Sequence, residues 1–238
     1  MRDFITCLEF LTRVRFSKRT DWRDEDFSRS VPYFPLVGLV IGFLLAAVNY
    51  SLFYIETPLF LRVTLLLLAE IIITGGLMYD GFMDTADGVF SARSRERMLE
   101  IMKDSHVGSN AVLAIIILLL LKIAAYLELS GETLTWVLLT MSVATRTFMV
   151  VFIVNFPYAR KEGIGHMFTK YAKPFYTYIA FAVCAGIIAA CGLQYLAVAG
   201  ICFAVTLIIA QYLKTIWRCT GGGKPTLPTP GRNLSHPD

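Results

Sequence analysis

Six apolar stretches, at about 33–55, 59–79, 107–126, 133–154, 175–191 and 195–217, divide most of this chain between them. Each is near the ~20 residues that the hydrocarbon core of a bilayer demands of a helix. The balance of residues agrees. Of 238 positions 56% are hydrophobic and the mean hydropathy is +0.61, too apolar for a soluble domain and too long for one anchor. The chain reads as all-α, a polytopic membrane helix bundle of about six transmembrane helices.

Three parts follow: an amphipathic, charged N-terminal segment over 1–30, a transmembrane helical catalytic domain over 31–217, and an atypical, disordered tail over 218–238. Phe4, Ile5, Leu8, Leu11 and Val14 among Arg2, Glu9 and Arg13 suit an interfacial helix. This segment has no uninterrupted apolar core, so it is not read as a cleaved signal peptide. Gly38 and Gly42, four apart in the first span, permit close helix contact. Cys7, Cys184, Cys191, Cys202 and Cys219 form no CxxC pair and read as buried thiols.

Basic residues set the orientation. Of 22 Lys and Arg, seven precede residue 30, four lie between Asp80 and His106, four between Phe156 and Lys173, and four after Leu213. The other side carries Glu56, Glu128 and Glu132 in short turns. The positive-inside rule then puts both termini and both long loops in the cytosol, in keeping with an even number of spans. A net charge of +4 is modest and follows topology, so no nucleic-acid partner is expected.

The densest chemistry lies at the end of the second span, in Gly75-Gly76-Leu77-Met78-Tyr79-Asp80-Gly81-Phe82-Met83-Asp84-Thr85-Ala86-Asp87-Gly88. Asp80, Asp84 and Asp87 stand at i, i+4 and i+7 and share one face of a continued helix. Like charges so placed repel unless a cation joins them. Hard carboxylate oxygens without His or Cys suit Mg²⁺, which takes one or two carboxylates plus substrate phosphates. The competing reading is a solvated acidic helix cap.

Lys103-Asp104-Ser105 returns to the membrane edge at the start of the third span, where it meets the aspartates, and a helix N-terminus there adds a place for anionic groups. Arg93, Arg95 and Arg97 read as topological charge. Arg160 with Lys161, in a loop holding Gly163 and Gly165, offers further phosphate contacts. His106 and His166 read as surface histidines. Glu70 and Arg146 lie inside spans and are expected to face the bundle interior, pairing with each other or lining a substrate cavity. Arg62 and Lys122 lie nearer span ends and are expected to snorkel.

These residues resemble the cobalamin synthase family, the adenosylcobinamide-GDP ribazoletransferases. The matching motifs are Phe10-Leu11-Thr12-Arg13, Phe34-Pro35-Leu36-Val37-Gly38, Thr74-Gly75-Gly76, Asp80-Gly81 through Asp84-Thr85-Ala86-Asp87-Gly88, Glu100 to Ser105 with Gly108, and Tyr158-Ala159-Arg160 with Glu162 to Gly165. The resemblance implies a multi-pass enzyme of the bacterial cytoplasmic (inner) membrane, its active site facing the cytosol. Such an enzyme joins adenosylcobinamide-GDP to α-ribazole or its 5′-phosphate, releases GMP and uses Mg²⁺. Asp80, Asp84 and Asp87 would bind metal, one of them also accepting the hydroxyl proton. Lys103 and Arg160 would touch phosphate, with Asp104, Arg146 and Glu70 as further substrate contacts. A homo-oligomer is left open.

Two departures stand out. Met78 occupies a position where the family has His, and after Gly222 the family's second acidic element gives way to a proline-rich tail, which puts activity of the chain as written in question. Other diphosphate transferases match less well. A CDP-alcohol phosphotransferase wants Asp-Gly followed shortly by Ala-Arg and a further aspartate pair, and Asp87-Gly88 to Ala92-Arg93 only imitates it; a DxxxD prenyltransferase is the other relative in chemistry. A transporter tends to place its acids at the midplane and often shows internal repeats.

Overall fold

The computed structural model describes residues 2–15, 23–129, 131–156 and 164–220, and every regular element among them is helical. The first expected span forms α3 (Phe34–Tyr54), entered through a 3-10 turn at Val31–Tyr33, with proline early in each. Proline suits these positions because a first-turn N–H has no intrahelical partner to lose. The third and fourth expected spans form α7 (Ser109–Leu127) and α8 (Gly131–Asn155).

The bundle is built on α3 against α8. A Cβ on Gly38 would lie 2.5 Å from the Ser142 carbonyl oxygen, and one on Gly42 would lie 2.8 Å from Leu139 Cα. The two backbones therefore touch where a side chain would hold them apart. Lipid tails are as apolar as leucine, so such close contact, rather than water exclusion, holds membrane helices together. Phe34, Val37, Ile41, Leu45, Leu134 and Leu138 fill the seam.

One end of this seam is capped by short helices: α1 (Arg2–Leu11), α2 (Asp24–Ser30) and α9 (Ile164–Lys170). The expected interfacial helix buries Cys7, Leu8 and Leu11 against the bundle. Phe10, Phe27 and Phe34 surround Phe168 with ring centroids 4.6, 5.2 and 5.6 Å away. Ser28 Oγ donates to the Met167 carbonyl at 2.7 Å, and Arg2 pairs with Asp26 at 3.0 Å.

Two spans differ from expectation. The second ends at Thr74: α4 (Leu59–Thr74) meets α5 (Leu77–Phe90) at a bend of 92°. Gly75 and Gly76 make the corner with φ of +68° and +71°, a left-handed pair that only glycine adopts without strain. The acidic motif therefore rides a separate helix and does not continue the apolar one. The fifth, α10 (Phe175–Cys191), has 17 residues and falls among the shorter apolar helices. The sixth is α11 (Leu193–Thr220). Four helices among the described residues are long and apolar enough to cross a membrane, five if the bent pair is one span. Of the cysteines expected to be buried, Cys7 and Cys184 are, Cys191 is half-buried and Cys202 is exposed; the surroundings of Cys219 lie outside the described residues.

Candidate active site

The corner at Gly75-Gly76 is held by Arg13, two residues beyond the end of α1. The Arg13 N–H donates to the Ile73 carbonyl at 2.8 Å, and its side chain lies over Gly75, where a Cβ would come 2.8 Å from Arg13 Nε. Beyond the corner α5 presents Asp80, Asp84 and Asp87. The chain then turns at Ser91 and Ala92, the latter at φ +50°, into α6 (Arg95–Ile101), whose first turn is capped by Ser94. Gly88 lets the two helices close up, since a Cβ there would lie 2.8 Å from Met102 Cγ.

The result is a cavity of about 340 Å³ lined by Asp80, Asp84 and Asp87 on α5 and by Lys103, Asp104 and His106 on the returning loop. Met83, Ile101, Met102 and Ala111 add apolar wall. Asp80, Lys103 and Asp104 are exposed, and Asp84 and Asp87 half-buried. Carboxylates, one amine and one imidazole thus share a single mouth.

Asp87 is engaged from below. Its Oδ2 accepts from the Gly108 N–H at 2.7 Å and its Oδ1 from the Ala111 N–H at 2.8 Å. These are first-turn donors of α7, which opens on Gly108, a residue with no side chain to cap them. A carboxylate there meets both the orphan N–H groups and the positive end of the helix dipole. The helix N-terminus expected to receive an anionic ligand is therefore filled by Asp87 itself. The sequence signal is partial: glycine at the cap position of a long helix leaves its first-turn donors open without naming the aspartate that takes them.

Across the mouth, His106 Nδ1 lies 2.5 Å from Asp104 Oδ1, which also accepts the His106 N–H at 3.1 Å. The hydrogen bond from the imidazole, then the one from the backbone, hold the Asp104 carboxyl below its ordinary range. The same bond and the carboxylate charge raise the His106 imidazole.

Among the described residues no three of His, Cys, Asp and Glu converge closely enough to hold a metal by themselves. The donor set still suits a hard cation that takes one or two carboxylates and completes its shell with phosphate oxygens and water.

The intramembrane charges pair differently from expectation. Glu70 accepts from Lys122 Nζ at 2.6 Å, and Lys122 also donates to the Tyr79 hydroxyl at 2.9 Å. Lys122 does not snorkel: it reaches inward from α7 and ties α4 to the first turn of α5, because in hydrocarbon a carboxylate and an ammonium stabilise each other more than either is stabilised alone. Arg146 is buried at 6% exposure, donates to Thr145 Oγ1 at 3.0 Å, and its Nε has no partner among the described residues. Neither Glu70 nor Arg146 lines the acidic cavity. Tyr79 was not singled out by sequence. Arg160 and the tail beyond Thr220 lie outside the described residues.

Residues 3–222 match the profile of the family described as cobalamin-5-phosphate synthase. The adenosylcobinamide-GDP ribazoletransferase of Desulfitobacterium hafniense (strain Y51) is 36% identical over 226 residues, covering 93% of this chain and 88% of the relative. That of Clostridium novyi (strain NT) is 39% identical over 186 residues, covering 77% and 73%. No solved structure matches the chain. With its acidic motif, its Lys103-Asp104-Ser105 loop and its helical bundle all inside the matched region, the chain belongs to the cobalamin-5-phosphate synthase family.

Proposed function

We propose that this protein is a membrane-bound adenosylcobinamide-GDP ribazoletransferase that joins adenosylcobinamide-GDP to α-ribazole or α-ribazole 5′-phosphate and releases GMP. The observation that carries the reading is the gathering of Asp80, Asp84, Asp87, Lys103 and Asp104 around one cavity in a chain of this family.

A ribose hydroxyl attacks the diphosphate, the new oxygen–phosphorus bond forms as the phosphoanhydride breaks, and GMP leaves. Asp80 and Asp84, together with the diphosphate oxygens, would hold Mg²⁺, which when bound neutralises charge on those oxygens, and Asp104 lines the same cavity as a further substrate contact. Lys103 supplies a positive charge to a non-bridging oxygen, and Arg160 is assigned the same task. Asp80 or Asp84 accepts the proton of the attacking hydroxyl. Asp87 fixes the distance between α5 and α7, so the two walls keep their spacing as charge moves. The apolar wall at Met83, Ile101 and Met102 is a surface for the corrinoid.

The site belongs on the cytosolic face of a bacterial inner membrane, where the loop charges and both nucleotides would meet. Labelling of Lys103→Cys above the native-thiol background by an impermeant maleimide in inverted vesicles, and not in right-side-out ones, tests that placement.

The activity is tested with purified, lipid-reconstituted protein given adenosylcobinamide-GDP, α-ribazole 5′-phosphate and Mg²⁺. GMP release that disappears with chelator and in Asp84→Asn is the expected result. Release that persists in both would end the proposed role of the acidic cavity, and no release from the wild-type chain would end the assignment of substrates.

A further inference from the structure

The far end of α4 holds a second cavity that the transfer chemistry does not use. Residues 62 to 74 span about 18 Å of helix at 1.5 Å per residue, so Arg62 lies that far from the corner leading to the acidic site. Arg62 lines a cavity of about 370 Å³ together with Tyr50, Phe53, Tyr54, Glu56 and Thr57.

Arg62 was expected to reach toward water, yet it is only 7% exposed and its Nε has no hydrogen-bond partner among the described residues. Its guanidinium carbon sits 5.3 Å from the centroid of the Phe53 ring. Among the described residues it makes no ion pair, Glu56 included. A desolvated guanidinium with one aromatic face and no anion is an incomplete arrangement, because removing a charge from water is costly unless an opposite charge replaces the water.

The surroundings identify the missing group. Leu59, Phe60 and Leu61 directly before Arg62 are exposed, as are Tyr50 and Tyr54. Exposed leucine and phenylalanine beside exposed tyrosine mark the boundary between hydrocarbon and headgroup. The anion available at that depth is a lipid phosphate, and the planar guanidinium fork suits its two free oxygens. Glu56, exposed at the rim, sets a negative charge beside the buried positive one.

We propose that this cavity binds a phospholipid with a zwitterionic headgroup, its phosphate diester on Arg62 and its primary ammonium at Glu56 and the tyrosine rings. The site is separate from the acidic cavity, and it stands whichever substrates the latter takes.

The test reads bound lipid, not activity. The full chain is reconstituted in equal parts phosphatidylethanolamine and phosphatidylglycerol, extracted into mild detergent, and its retained lipids are counted by native mass spectrometry. Wild type is expected to retain phosphatidylethanolamine in preference. Arg62→Gln is expected to lose at least about tenfold in retention, the loss of one charge-assisted contact. Arg62→Lys keeps the buried charge without the fork and should hold an intermediate amount, so the comparison does not depend on the Gln variant folding. Glu56→Gln, at an exposed position, should keep a lipid but lose the preference. Equal retention by wild type and both Arg62 variants would overturn the proposal, as would an unchanged preference in Glu56→Gln. Displacement of the lipid by excess inorganic phosphate would assign the cavity to a soluble anion instead.

Discussion

Replacing Asp87 by Asn separates two roles that an aspartate in this motif can play. In the structure both carboxylate oxygens accept backbone N–H groups, from Gly108 at 2.7 Å and Ala111 at 2.8 Å. An Asn keeps one acceptor and turns an NH₂ toward the other N–H, so one bond is lost and the charge facing the helix dipole goes with it. A charge-assisted bond contributes about 1.5–3 kcal/mol and the dipole about 0.3–1 kcal/mol, and some of this returns as the amide rotates toward water. A net loss of about 2 kcal/mol is the working figure, close to the upper end for losing a helix cap. Carried over from soluble domains of this size, that corresponds to a fall in Tm of roughly 4–8 °C. Thermal unfolding in detergent at one fixed scan rate, with chelator and without substrate, is the assay. Asp80→Asn, at an exposed carboxylate with no such bonds, should melt within about 1 °C of wild type, as surface changes usually do. If Asp87→Asn melts with wild type in chelator and loses only a Mg²⁺-dependent stabilisation, Asp87 is a metal ligand and its role as a bracket for α7 is wrong.

Three further outcomes are expected. Gly38→Val drives a branched side chain into the Ser142 carbonyl, 2.5 Å from where its Cβ must stand, and should cost about 3 kcal/mol or more by parting α3 from α8; Gly186→Val in α10, where nothing lies within 4 Å, is the matched control by thermal unfolding. Glu70→Gln strands the Lys122 ammonium and should destabilise by about 3 kcal/mol, whereas Glu70→Gln with Lys122→Met recovers much of the loss because neither charge is left buried alone. By NMR titration the His106 imidazole should have a midpoint above its ordinary 6.5 and return toward it in Asp104→Asn. The ion pair exists below that raised midpoint and is lost as pH rises through it; at the acid end it is lost as pH falls through the depressed Asp104 value.

The spans at α3, α7 and α8 were legible because about twenty apolar residues in a row have few alternatives, and Gly38 with Gly42 marked the tightest contact from spacing alone. The cavity was legible in part: Asp80, Asp84 and Lys103 needed only helix periodicity and a loop that returns. What the sequence hid was geometry that depends on pairs of distant residues. Gly75-Gly76 fell inside a single span read from 59 to 79, and only the positive φ angles make them a corner. Lys122 read as a snorkelling side chain because it lies near a span end and its partner, Glu70, lies 52 positions away, while Glu70 was matched with Arg146 as the other charge deep in a span. Asp87 read as one of three equals, since nothing local says which aspartate will meet the start of α7.

The corner between α4 and α5 ties the enzyme to the thickness of its bilayer. With 16 residues, α4 is about 24 Å long, several ångströms short of a typical hydrocarbon core of about 30 Å. The chain leaves α4 at Thr74 and turns 92°, so with α4 set along the membrane normal α5 would run close to parallel with the membrane plane, at a depth set by the length of α4. A thicker bilayer draws the acidic helix deeper among acyl chains, and a thinner one lifts it into the headgroups. Turnover in a series of vesicles of increasing acyl length should then pass through a maximum, with α4 acting as the ruler.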